Sequence, residues 1–79
     1  MKLIDAIVKR LKELLKEKNW TQYRLSIESG VPDSTISMIL NKNVKSVTLS
    51  TLFDLISAMD FDLKTFFDSP LFSPENIED

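Results

Sequence analysis

Seventy-nine residues, 43% hydrophobic and 28% charged, supply one small core and leave no room for a second domain. The chain has neither Cys nor His, which removes disulfides, thiol nucleophiles, the commonest metal ligand and the usual near-neutral general base, and with them most enzyme chemistries. The net charge of −2 is unevenly spread, with nine Lys/Arg against five Asp/Glu over residues 1–48 and one against seven over 49–79. A basic lobe able to face an anionic partner is thus joined to an acidic one. No apolar run approaches the ~18 residues of a membrane span, and Asp5 interrupts the first apolar stretch, unlike a secretion signal. The expected compartment is a cytoplasm.

One Gly and three Pro leave little turn material, and the apolar spacing is helical throughout, so the expected class is all-α. Leu3, Ile4, Ile7, Val8, Leu11, Leu14 and Leu15 recur at separations of three and four and predict a first helix over about residues 2–18. Asn19 tolerates the left-handed geometry that closes a helix. Thr21 is a good N-cap for a short second helix over 22–29. Gly30, the sole glycine, marks a turn that needs a positive φ. Pro32 opens a third helix with Asp33 or Ser34 available to cap it, and that helix runs to about residue 40 or 41. Thr48 caps a fourth, carrying Leu49, Leu52, Phe53, Ile56 and Met59 up to Asp60, itself a residue suited to left-handed closure. Asp62 caps a last short helix with Leu63, Phe66 and Phe67, after which Pro70 and Pro74 mark an irregular acidic tail. Trp20, Phe53, Phe61, Phe66 and Phe67 are expected mainly in the core, because a chain this small needs its aromatics there. Glu13, Glu17 and Glu28 read as solvated partners of nearby lysines.

Thr21 to Asn41 is the most specific stretch. Two short helices joined by a Gly-containing turn form a helix-turn-helix when apolar or small residues fill their crossing. Leu25, Ser26, Gly30, Val31, Ile36 and Ile39 suit those inner positions. Pro32, Asp33, Ser34, Ser37, Met38 and Asn41 are then left on the outer face of the third helix.

With Trp20-Thr21-Gln22, Gly30-Val31, Ser34-Thr35-Ile36-Ser37 and the paired Phe66-Phe67 in order and in register, the chain resembles the lambda-repressor-like, Cro/CI-type (XRE) helix-turn-helix family over residues 4–68. The resemblance implies a five-helix DNA-binding domain over 1–68, with the helix-turn-helix at helices 2 and 3 and a Pro-flanked acidic tail over 69–79. It implies that helix 3 enters the major groove of an operator and that Asp33, Ser34, Ser37 and Met38 read bases. Ser offers a donor and an acceptor, Met an apolar contact for a thymine methyl, and Asp an acceptor for cytosine N4. Thr21, Gln22, Tyr23, Thr35, Asn41, Lys42, Asn43 and Lys45 fall where the family approaches the DNA backbone. The third helix carries no Arg or Lys for guanine, so a weak or A·T-leaning operator is expected. Many relatives pair an Arg on helix 1 with a Glu ending helix 3; here Leu15 and Leu40 stand at those positions and are expected to touch.

The expected function is that of a sequence-specific transcriptional regulator, a repressor by its size, acting as a homodimer on a pseudo-palindromic site. Phe67, Leu71 and Phe72 are the expected dimer or partner contacts, with the alternative that the tail folds back on its own chain. The rival reading is an antitoxin or adaptor that keeps the architecture but binds a protein partner. No cofactor, metal or catalytic role is implied.

Overall fold

The computed structural model describes residues 1–78. Its helices are α1 (Leu3–Lys18), α2 (Gln22–Ser29), α3 (Asp33–Leu40), α4 (Leu49–Ala58) and α5 (Leu63–Phe67), followed by two 3-10 turns at Pro70–Phe72 and Pro74–Asn76. There is no strand among the described residues.

The three expected caps form. Thr21 Oγ1 accepts the Arg24 amide at 3.0 Å, Thr48 Oγ1 accepts that of Thr51 at 3.2 Å, and Asp62 Oδ1 accepts that of Thr65 at 2.7 Å. Helix α3 differs, because neither Asp33 nor Ser34 caps it. Pro32 takes the N-cap position with no side-chain bond, and its fixed backbone lets its carbonyl receive the Thr35 and Ile36 amides at 3.0 and 3.1 Å. Asp33 is thereby the first residue inside the helix, beside the positive end of the helix dipole.

Left-handed residues close α1 to α4. Asn19 (φ 58°), Gly30 (φ 76°) and Asp60 (φ 64°) adopt this geometry as their residue types suggest, and Lys42 (φ 58°) does so without such a signature. At Asn19, Lys42 and Asp60 the following amide reaches back to a carbonyl five residues earlier: Trp20 to Leu15 at 2.9 Å, Asn43 to Met38 at 2.9 Å and Phe61 to Ile56 at 3.0 Å. Trp20 and Phe61 then pack against the core directly after the turn, the hydrophobic contact that accompanies this type of helix end.

The core is wholly apolar, with no buried polar or charged residue among those described. Ile7, Val8, Leu11, Leu14 and Leu15 of α1 meet Leu25, Ile36, Ile39, Leu40, Leu52, Leu55, Ile56, Met59 and Phe66 in one cluster. Full burial of each large member contributes roughly 1.5–3 kcal/mol relative to exposure. Leu15 and Leu40 both lie in this cluster, and α1 packs against α3. Phe53 departs from expectation and is 50% exposed, as Leu49 is at 62%. The buried stripe of α4 is Leu52, Leu55, Ile56 and Met59, and at about 100° per residue Phe53 points well away from Leu52.

Residues 69–78 of the tail fold back on the chain. Its first 3-10 turn packs on α1, the Phe72 ring lies 4.9 Å from Phe67 and 5.7 Å from Phe66, and the Glu78 amide donates to the Met1 carbonyl at 2.8 Å. Arg10 ties the same region together: its Nε donates to the Phe66 carbonyl and its Nη2 to that of Thr65, both at 2.9 Å. Glu13 and Glu28 pair with Arg10 and Arg24, at 3.3 and 3.7 Å, rather than with lysines.

Two tests follow from the helix ends. Asp60 is an L-residue in left-handed geometry, so Asp60→Gly should raise stability by roughly 0.5–1 kcal/mol, the relief of strain exceeding the extra unfolded-state entropy of Gly; thermal melts of the two proteins measure it. The Asp62 carboxyl is held below its ordinary value of 3.8 chiefly by the Thr65 amide, then by the Thr65 hydroxyl, with help from Lys64. A carboxyl lowered in the folded state stabilises above its ordinary value and loses that contribution as pH falls through the lowered one. The difference in Tm between the natural chain and Asp62→Ala should therefore hold at neutral pH and narrow below pH 3.8.

Candidate nucleic-acid interface

The turn between α2 and α3 is closed by its own side chains. Gly30 takes the left-handed conformation with its amide on the Ser26 carbonyl. Ser26 Oγ donates to the Val31 carbonyl at 2.9 Å, and Ser29 Oγ accepts the Val31 amide at 3.1 Å. Val31 itself is buried. Both backbone groups of the buried Val31 are thus partnered within the turn, which fixes the direction of α3 relative to α2 locally.

On the outer face of α3, Asp33, Ser34 and Met38 are exposed and Ser37 is half-buried. Gln22, at the first turn of α2, reaches across to the start of α3: its Nε2 donates to Asp33 Oδ1 at 3.2 Å. That bond orients the carboxylate, and the same Nε2 also reaches the Asp33 carbonyl at 3.5 Å. It also couples the residue expected on the backbone to one expected on the bases. Asn41 Nδ2 donates to Ser37 Oγ at 3.2 Å, which leaves the Ser37 hydroxyl hydrogen free to donate. The face therefore presents an acceptor, a donor–acceptor, a donor and an apolar group, a set that complements base edges in the major groove.

Beyond the half-buried Gln22, the expected backbone contacts are exposed with one exception. Tyr23 is 68% exposed, Thr21 serves as the α2 cap with its residue exposed, and Asn41, Asn43 and Lys45 are exposed beyond α3. Lys42 is exposed, but its Nζ lies 3.5 Å from Asp5 Oδ1 on α1. Thr35 is the exception: it is half-buried and lines a groove of about 180 Å³ running between α3 and the start of α4, with Met38, Ile39, Val44, Val47 and Thr51 also on its walls.

Phe67, Leu71 and Phe72 are half-buried within the chain itself, the two rings in mutual contact. Trp20 is half-buried too, one side on the core and its ring under the Arg24 guanidinium at 4.7 Å. The serine pair that closes the turn went unread in the sequence, although a small polar residue at position 26 was its available signal. No group of three or more acidic side chains able to hold a metal occurs among the described residues.

A sequence model of the helix-turn-helix family matches residues 11–66. No curated protein and no solved structure matches the chain. The family match spans more than half of the 79 residues, and it covers both helices of the motif, the turn between them, the second half of α1 and all of α4. With five helices, no strand among the described residues and this match, the chain belongs to the Cro/CI-type (XRE) helix-turn-helix family, a DNA-binding regulatory family with the lambda-repressor-like fold.

Proposed function

We propose that this chain is a sequence-specific transcriptional regulator of a bacterium or phage, a repressor that occupies an operator and blocks polymerase, with α3 inserted in the major groove. The observation that carries this reading is the outer face of α3. Asp33, Ser34 and Met38 stand exposed on a helix that follows a turn closed by Ser26 and Ser29, next to a Gln22 that holds Asp33. Gln22, with Thr21, Tyr23, Asn41, Lys42, Asn43 and Lys45, supplies phosphate contacts that set register, while Asp33, Ser34, Ser37 and Met38 supply the readout. No helix among the described residues is long and apolar enough to cross a membrane, which suits action on DNA in the cytoplasm.

Two copies on one duplex belong to the same reading, because a two-fold pair presents two α3 helices about one turn of DNA apart, roughly 34 Å. The rims of Phe67, Leu71 and Phe72 left exposed beside α5 are what this end of the molecule offers a second copy. A protein-binding adaptor is the second reading, favoured by Ile27, Leu49 and Phe53, which are 61%, 62% and 50% exposed outside the α3 face.

Binding-site selection from a random duplex library, followed by anisotropy on the winner, tests the choice. Expected is a two-fold motif with half-sites about 10 base pairs apart and few guanines at contacted positions. Ser34→Ala and Met38→Ala should each reduce discrimination at one base position by about 1–3 kcal/mol, whereas Gln22→Ala should weaken all sequences alike. No enrichment, or enrichment indifferent to the α3 substitutions, would move the function to a protein partner.

A further inference from the structure

Both arginines are engaged within the chain, Arg10 with Glu13 and the α5 carbonyls and Arg24 with Glu28 and the Trp20 ring. Lys42 meets Asp5 and Lys18 lies over the Trp20 and Phe61 rings, and the lysines are unevenly placed. Lys9, Lys12 and Lys42 line a cleft of about 360 Å³ where the first half of α1 meets the residue that closes α3, with Asp5 also on its wall. Lys2 and Lys45, with Ile4 and Val44, line a second open cleft of about 520 Å³ between the start of α1 and the chain that follows α3. Five lysines therefore gather along one seam of the molecule, while most of the carboxylates belong to residues 49–79.

Asp5 answers this charge in part, through its contact with Lys42. Among the described residues, no carboxylate oxygen lies within 4.0 Å of the Nζ of Lys2, Lys9, Lys12 or Lys45. Glu13, the nearest acid in sequence to Lys12, is turned to Arg10. Ammonium groups collected without counter-charges repel one another, and an anion brought among them relieves that repulsion. Lys9 and Lys12 are three residues apart on α1 and so share one face of it, and Lys42 stands across the cleft from them. The seam is continuous with the interface described above, since Lys42 and Lys45 belong to both. Lysines act as compact point charges without the planar fork that reads guanine, which suits them to phosphate rather than to base edges.

We propose that Lys9 and Lys12 of α1, with Lys42 opposite, bind the phosphodiester backbone of the duplex that α3 reads, extending the footprint along the DNA past the contacts of α2 and α3. This inference rests on the DNA-reading function proposed above. It assigns α1 a direct part in affinity besides its part in the core, and it supplies charge that α3, with Asp33 and no basic residue, lacks. Asp5, within the same cleft, opposes the phosphate and limits affinity.

The test is the salt dependence of binding to a duplex carrying the selected site, measured by anisotropy for the natural chain and three variants. Each phosphate neutralised adds about 0.9 to the slope of log K against log salt. Lys9→Gln/Lys12→Gln should therefore lower the slope by about two units and weaken binding at low salt, with the selected motif unchanged. Asp5→Asn should tighten binding. Lys64→Gln, on α5 away from the seam, should leave the slope as it is. A double variant with the natural slope overturns the inference, as does an equal loss per substitution from Lys64→Gln. If the natural chain binds no duplex, the DNA-reading function itself fails and takes this inference with it. If it binds its motif and the double variant keeps the slope, only the role of α1 is lost.

Discussion

The angle at which α3 leaves α2 is the constraint on which the rest of the molecule depends. Gly30 allows the reversal because a positive φ costs it little, and Ser26 and Ser29 then absorb the carbonyl and amide of Val31. With those groups satisfied, the Val31 side chain can be buried without stranding its backbone, and Pro32 can start α3 at once. The outward residues of α3 thus inherit their direction from four consecutive positions at the turn and from the leucines and isoleucines beneath it. No polar or charged residue is buried among those described, so the core holds the motif in place without competing for the side chains that face outward.

Charge is divided by residue type in a way that follows from geometry. A guanidinium can satisfy two carbonyls at once, and Arg10 does so at the end of α5. It joins α1 to the cluster of Phe66, Phe67 and Phe72 and lets a five-residue helix end against the core. Arg24 lies on Trp20 and pairs with Glu28, which steadies the short α2 from its exposed side. The lysines, which lack that planar fork, remain exposed apart from the half-buried Lys18. A reading helix without Arg leans on hydroxyl, carboxylate and thioether contacts for discrimination and on its surroundings for affinity.

Local features were legible in the sequence and distant ones were not. The caps at Thr21, Thr48 and Asp62 and the left-handed ends at Asn19, Gly30 and Asp60 involve neighbours within a few residues, so residue type and spacing suffice to find them. The outer face of α3 was legible for the same reason, once the turn fixed the register of its buried residues. Lys42 adopts left-handed geometry through the closing bonds of α3 and its contact with Asp5, neither of which a lysine advertises. Phe53 matched a helical spacing, yet its burial depended on which elements cover α4, and none covers that side. The bond from Arg10 to Phe66 spans 56 residues, and the return of Phe72 to the core closes a loop of similar kind. The grouping of Lys9 and Lys12 with Lys42 likewise exists only once α1 and the end of α3 are side by side.

The most direct test of the central claim is an amide chemical-shift titration of the labelled protein with its selected duplex, followed residue by residue. Expected are the largest shifts at Gln22 and Tyr23, along Asp33 to Met38 and over Asn41 to Lys45, with α5 and the tail little changed. Shifts centred on α4, α5 or the tail, with Asp33 to Met38 unmoved, would contradict the assignment of α3 as the element that reads DNA.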